Sequence, residues 1–171
     1  TLYHLIFVVK IKIIMNVCII GSGLTSLTLA KTLINQGILV DLFSTKNNFK
    51  KDMNRTLGIS KGNLEFFNSE ILNINKFRWD IKKIEILSEN LSGEKILNFE
   101  NNDDHLFSMI RNDNLVNNLL LKLKKDKLCN FKKKLISIDK LKKSYDLIFN
   151  CDYTNPITKK FFFKQMKKNY N

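Results

Sequence analysis

Asn16-Val17-Cys18-Ile19-Ile20 runs directly into Gly21-Ser22-Gly23, and Leu24-Thr25-Ser26-Leu27-Thr28-Leu29-Ala30 follows with apolar residues at helical spacing. An apolar run, a Gly-x-Gly turn and an amphipathic segment read as buried strand, tight turn and helix start. A turn of this kind has phosphate chemistry available to it. The first glycine permits the sharp reversal and the second lets backbone approach a pyrophosphate. The free N–H groups and positive dipole end of the helix then stabilise the negative charge. Gly21, Ser22, Gly23, Leu24 and Thr25 are therefore candidate cofactor-binding residues, with Ser26 in the third, small position of the fingerprint. Alone, Gly-x-Gly also fits an ordinary strand-to-helix turn, so its context has to separate the two readings.

The elements around the turn supply that context. Leu24, Leu27, Leu29, Ala30, Leu33 and Ile34 form a helical stripe, and Gly37 is the expected stop after it. Leu39-Val40-Asp41-Leu42-Phe43 reads as a second strand, completing a strand-helix-strand unit of about thirty residues. The acid that normally binds the ribose hydroxyls at the end of this strand is replaced by Ser44. Asp41 stands three residues earlier and projects to a different side, because strand side chains alternate. Ser44 still offers a hydrogen bond to a hydroxyl, weaker than a carboxylate would give.

Further along, Thr45 to Asn54 reads as a polar loop and Ser60 as the N-cap of a short helix through Phe67. Arg55 enters that helix from the loop, either as a solvated cation or as a ligand-binding one. Ile81 to Leu87 and Ile96 to Phe99 read as half-exposed strands around a Ser92-Gly93 turn. Leu106 to Arg111 is a short strand, and Asn112 is expected to cap a helix whose apolar face is Leu115, Val116, Leu119, Leu120 and Leu123. Lys122 to Lys134 reads as a solvated lysine face. Leu135-Ile136-Ser137-Ile138 and Tyr145 to Asn150 read as the last strands, the latter suited to the middle of a parallel sheet. Asp152 stands just past its carboxyl end, where open α/β sheets bind ligands. The fold class is thus α/β, with a Rossmann-like βαβ domain, a parallel sheet and a small antiparallel β insertion.

Composition narrows the function classes. With 171 residues and 44% hydrophobic content the chain suits one packed core. Its net charge of +13 invites a polyphosphate partner, yet nearly all of the excess is lysine and the only arginines are Arg55, Arg78 and Arg111. Arginine is the usual reader of phosphates and bases, so a dedicated nucleic-acid reader is not expected. Cys18, Cys129 and Cys151 lack paired spacing and read as buried reduced thiols in a reducing, cytosolic setting. With His4 and His105 the only histidines, no metal site is expected, and His105 reads as solvated loop after Asn101-Asn102-Asp103-Asp104. Residues 1–14 are apolar but broken by His4, Lys10 and Lys12, so they read as an extension before a start at Met15 rather than a bilayer span or signal peptide. Residues 15–171 then form the domain.

The order of Gly21-Ser22-Gly23, Arg55-Thr56-Leu57-Gly58-Ile59-Ser60, Arg111 before a leucine-rich helix, and Asp146-Leu147-Ile148-Phe149-Asn150-Cys151-Asp152 resembles the FAD-dependent aromatic hydroxylases. Within them it is most similar to the flavin monooxygenases of ubiquinone biosynthesis, a subgroup that Trp79-Asp80-Ile81 before Ile84-Glu85-Ile86 also resembles. The similarity runs from Met15 to about Lys168 and matches the N-terminal part of the family's longer protein. It implies that Gly21, Gly23 and the helix start hold the FAD pyrophosphate, Ser44 stands at the ribose, and Arg55 and Arg111 lie along the ribityl and pyrophosphate portion. Asp152 matches the acid of a G-A-D-G-x-x-S segment linked to FAD and NAD(P)H, although Asn150, Tyr153 and Pro156 replace its two glycines and its serine.

The implied reaction is hydroxylation of a polyprenylated phenolic or quinone precursor with NAD(P)H and O2, with peripheral contact at an anionic membrane surface. The family's second FAD segment and most of its substrate cavity come later in the longer protein, so the sequence reads as a truncated piece that does not hydroxylate alone. A non-catalytic FAD- or NAD-binding remnant and a basic nucleic-acid-associated protein are the alternative readings.

Overall fold

A computed structural model describes residues 15–44, 55–89, 93–101, 104–133 and 137–162. The extension at 1–14, the loop from Thr45 to Asn54, the Leu135-Ile136 pair and the stretch after residue 162 lie outside these residues.

Four parallel strands carry the fold: β1 (Asn16–Ile20), β2 (Leu39–Phe43), β8 (Cys129–Lys132) and β9 (Leu147–Asn150), in the order β8-β2-β1-β9. β1 is buried on both faces. Val17 and Ile19 enter the main core, and Cys18 and Ile20 enter a smaller core with Phe43 and Leu141. That two-sided burial is why the strand reads as an unbroken apolar run. Helix α1 (Leu24–Asn35) covers the main-core face through Leu27, Ala30 and Ile34. Gly37 ends it at φ +77°, with Gly37 N–H donating to the Ile34 carbonyl (2.8 Å) and Ile38 N–H to that of Leu33 (3.1 Å). These two bonds make a Schellman motif, with Gly37 as the stop the sequence led us to expect.

Between β2 and β8 the chain builds an antiparallel sheet from β3 (Thr56–Ser60), β4 (Arg78–Ile81) and β7 (Phe107–Arg111), ordered β3-β7-β4. It also forms a ribbon from β5 (Lys83–Leu87) and β6 (Lys95–Glu100). Helix α2 (Lys61–Phe66) is capped by Ser60 Oγ, which accepts from Asn63 N–H at 3.4 Å, and continues into a π turn at Phe67–Ile71. Helix α3 (Asn112–Lys125) buries the predicted face Leu115, Val116, Leu119, Leu120 and Leu123. Asp113 in its first turn and Lys122, Lys124 and Lys125 in its last suit the helix dipole.

Several expectations are corrected. Arg55 leads into β3, not directly into a helix. The span Ile81 to Leu87 is two strands, because Ile81 closes β4 before β5 begins. Asn112 is the first residue of α3, and Arg111 takes the cap position without a side-chain cap. The lysine-rich stretch contains β8, where Cys129 is buried and Phe131 packs against the main core between solvated residues. Ser137 and Ile138 are not a strand, since they open α4 (Ile138–Ser144). β9 begins at Leu147 and lies at the edge of the described sheet, which leaves Leu147 45% exposed. His105 is not solvated. Its side chain is 11% exposed, and Nδ1 lies 2.7 Å from Asp104 Oδ1, a carboxylate also paired with Lys61.

The alternate-face placement of Asp41 holds, and the structure shows its use. Asp41 is 8% exposed. Its Oδ1 accepts from Asn130 Nδ2 at 2.9 Å, and Oδ2 accepts from the Tyr145 hydroxyl at 2.6 Å with Lys132 Nζ 3.6 Å away. Tyr145, just past α4, also sets its ring edge-on to Phe43. Burial and then Asp41 push the Cys18 thiol up to about 12, and burial likewise pushes Cys129 up to about 11.

Tyr145→Phe should cost about 1–3 kcal/mol in denaturant unfolding, because it strips a donor from a buried carboxylate. The raised thiols set the alkaline limb. The unfolded chain ionises near 9 while the folded chain holds its protons, so stability should fall as pH rises from about 9 toward 12, read from melting temperature across that range.

Candidate dinucleotide-binding site

Parallel pairing places the carboxyl ends of β2, β1 and β9 side by side, with Ile20 opposite both Phe43 and Asn150. The glycine turn leaves from the middle of that edge. Gly21 N–H donates to the Phe43 carbonyl at 2.9 Å, and Cys151 N–H donates to the Ile20 carbonyl at 2.8 Å. Ser44 therefore flanks the turn on one side and Asp152 on the other. From β1 the parallel strands proceed outward to β2 and β8, and the chain then crosses back to β9 on the other side of β1, so the turn sits at a topological switch point.

The two glycines do different work. Gly21 has φ +136°, and a Cβ there would lie 2.5 Å from Ser26 Oγ and 3.3 Å from the Cys151 carbonyl carbon. The fold itself requires that glycine, and it requires a small residue at Ser26, whose hydroxyl is buried. Gly23 is the reverse case. At φ −84° it is open to any L residue, and a Cβ would meet nothing within 4 Å. It is the N-cap of α1, with no side-chain cap and no acid in the first turn. Backbone N–H groups thus face open space at a positive dipole end, which fits a phosphate group. Ser22 and Leu24 are half-buried and Thr25 is exposed around that space.

Beyond β9, Asp152 shapes the chain more than it faces outward. Its Oδ1 accepts from Thr154 N–H at 2.9 Å and from Thr154 Oγ1 at 2.7 Å. Asn155 then caps α5 (Pro156–Phe162), its Oδ1 accepting from Thr158 N–H at 2.9 Å. Asn150, standing where the resembling family has glycine, ties this loop together: Nδ2 donates to Thr158 Oγ1 and Oδ1 accepts from Asn155 Nδ2, both at 2.6 Å. Tyr153 is 80% exposed in the turn.

The arginines meet elsewhere. Thr56 pairs with Arg111 across β3 and β7, and the Arg55 carbonyl accepts from Asn112 N–H at 2.8 Å, so both arginines stand at one end of the antiparallel sheet. Arg111 is engaged by Asp113, Nε to Oδ1 at 3.0 Å and Nη2 to Oδ2 at 2.6 Å. That pair holds the Asp113 carboxyl below, and the Arg111 guanidinium above, their usual ranges. Sequence reasoning missed this pairing, although the spacing Arg111-x-Asp113 was its signal. A cavity of about 330 Å³, lined by Leu24 and Thr28 of α1, Leu57 and Ile59 of β3, and Phe66 and Phe67, adjoins both the first turn of α1 and the strand that Arg55 leads into. Among the described residues no cluster of His, Cys, Asp or Glu has the makings of a metal site.

No family model and no curated protein matches the chain. Solved structures do. It is similar to the p-nitrophenol 4-monooxygenase PnpA of Pseudomonas putida DLL-E4, at 16% identity and a TM-score of 0.58 over 70% of this chain and 31% of that one. It is also similar to the 2,6-dihydroxypyridine-3-hydroxylase of Arthrobacter nicotinovorans, at 15% identity and a TM-score of 0.54 over 72% and 30% of the respective chains. A third is HpxO of Klebsiella pneumoniae, solved with FAD and uric acid, at 16% identity and a TM-score of 0.55 over 68% and 30%. The chain spans about a third of the length of these proteins. Identities this low establish the fold, an α/β domain with a parallel sheet and antiparallel additions, as the sequence led us to expect.

The glycine geometry yields a paired test. Gly21→Ala should lower unfolding free energy by about 1–3 kcal/mol, through the forbidden φ and the clash with Ser26. Gly23→Asp should leave stability equal or slightly higher, because aspartate is a better N-cap than glycine. Denaturant unfolding of the two variants reads both signs.

Proposed function

We propose that the chain is the FAD-binding portion of a flavin-dependent monooxygenase acting on an aromatic ring. The observation that carries this is Gly23: a glycine the fold does not need, at a helix N-terminus left open and uncapped, where backbone would meet a pyrophosphate. The fold shared with monooxygenases, one of them solved with FAD, supports the same reading. In it Gly21 to Thr25 cradle the phosphates, Ser44 stands at the ribose, and the Asp152 loop borders the turn from β9. Arg55 supplies positive charge at the start of β3, and Arg111 does so only in competition with Asp113. When bound, flavin supplies the oxygen chemistry, with NAD(P)H as reductant; the chain's residues bind, orient and shield it.

The finer reading follows the sequence resemblance. The ring belongs to a polyprenylated ubiquinone precursor, and the lysine-rich surface makes peripheral contact with anionic lipid. No helix among the described residues is long and apolar enough to cross a membrane. Hydroxylation is proposed to need more polypeptide than this chain, as in the longer proteins it matches. A non-catalytic binding remnant is the second reading, favoured by the departures at Asn150, Tyr153 and Pro156.

Purified protein mixed with FAD and desalted should retain a flavin absorbance band. Gly23→Asp, still folded by circular dichroism, should lose it, and Arg55→Ala should weaken FAD binding by about tenfold, the loss of one charge-assisted contact. A wild-type protein that leaves the column colourless overturns the reading. NAD(P)H oxidation stimulated by a phenol would decide for enzyme over remnant, and none is expected from this chain alone.

A further inference from the structure

The ribbon of β5 and β6 belongs to neither of the larger sheets, and its two faces differ. Pairing sets Ile84 opposite Phe99 and Ile86 opposite Leu97, so these four side chains share one face. The other face carries Lys83, Glu85, Lys95 and Glu100, joined by ion pairs that run from Lys95 to Glu85 to Lys83 to Glu100. Charge there is satisfied within the ribbon. The apolar face is not covered: Ile86, Leu97 and Phe99 are 43%, 49% and 49% exposed, and Ile96 next to Leu97 is exposed too. A two-stranded ribbon with an open apolar face is marginal in water and gains stability from further strands. Every residue of β6 is exposed, and β6 pairs with no strand but β5 among the described residues. Its outer edge is a free row of backbone donors and acceptors.

We infer that the outer edge of β6 pairs antiparallel with β6 of a second copy of this chain, centred on Asn98, so that two ribbons form one continuous sheet. A two-fold axis normal to the sheet puts one residue opposite itself, because opposed side chains share a face. Asn101 N–H donates inward to the Lys82 carbonyl, so by alternation the N–H and C=O of Asn98 point outward. Centred there, the two copies exchange a pair of backbone bonds. Phe99 then lies opposite the partner's Leu97, and the apolar face gains two rows, each running Ile84, Phe99, the partner's Leu97 and the partner's Ile86. On the ion-paired face Glu100 comes within one residue of the partner's Lys95, which sets opposite charges together. The other edge lacks this match. On β5 the middle of the strand is Glu85, and self-pairing there would set two carboxylates against each other. This contact lies in the ribbon, away from the glycine turn, and is independent of the cofactor.

Sedimentation velocity on the whole chain reads the association, at protein concentrations from about 1 μM to about 1 mM and in about 0.15 M salt, where the repulsion of like-charged copies is screened. Wild type should pass from monomer to dimer within that range. Asn98→Pro removes an outward N–H that the ribbon's own ladder does not use, and should weaken the dimer by about tenfold or more. Asn98→Asp, which sets two carboxylates at the two-fold axis, should weaken it several-fold. Asn98→Cys should form a dimer-linking disulfide under mild oxidation, because the Cα atoms of a hydrogen-bonded pair lie about 5.5 Å apart, and wild type should form none. Circular dichroism shows whether each variant is folded. A monomer throughout overturns the inference, and so does a dimer that Asn98→Pro and Asn98→Asp leave intact or that Asn98→Cys does not link. A two-fold contact closes at two copies, so larger assemblies overturn it as well. A monomer that instead floats with phosphatidylglycerol vesicles, and no longer does so as Leu97→Glu, assigns the apolar face to lipid and overturns it too.

Discussion

Gly21 has to turn the chain out of a strand buried on both faces and into a helix that lies back across the same strand. It does so at φ +136°, with Ser26 Oγ and the Cys151 backbone closed in around the place a side chain would occupy. A parallel sheet forces this geometry, because each crossover must climb from a carboxyl end and return over the sheet. The close approach of α1 to β1 lets Leu27, Ala30 and Ile34 bury against Val17 and Ile19. It also aims the first turn of α1 at the edge shared by β2, β1 and β9. Packing and the placement of the open helix end are therefore set by the same few atoms.

Charge is distributed unevenly around that edge. Exposed ion pairs occupy some of the cations elsewhere: Lys83 with Glu85 and Glu100, Lys95 with Glu85, Lys61 with Asp104, and Arg111 with Asp113. Such pairs add little stability in water. Their effect is to neutralise cations that would otherwise compete for an anion. Near the cradle the first turn of α1 has no acid, and Lys133 stands at the end of β8.

How much was legible in the sequence depended on whether burial wrote a period into it. α1 and α3 each bury a continuous stripe, and their buried residues match the apolar spacing. β1 and β2 were legible as apolar runs ending at Gly21 and Ser44. β3 and β8 were not, since each exposes much of its length and holds its place by backbone pairing to β7 and β2. In β8 the signal was only the alternation of Cys129 and Phe131 among polar residues. Tyr145 looked like strand because it continues an apolar run, yet its hydroxyl is drawn to Asp41, a contact 104 positions apart that no local pattern records. His105 was misplaced for a similar reason: a polar neighbourhood in sequence became a covered one once Lys61 and Asp104 folded against it.

Asp41 ties together the face of the sheet away from α1. A carboxylate buried without partners would be costly, and here three donors from two other elements surround it, tying β8 and the end of α4 to β2. Once committed to that role it cannot turn toward a ligand. Moving it would break its hydrogen bonds to Asn130 and Tyr145 and also bring strand alternation out of phase. The carboxylate of β2 is thereby committed to the sheet's other face, and the carboxyl end of the strand beside the glycine turn is left to Ser44.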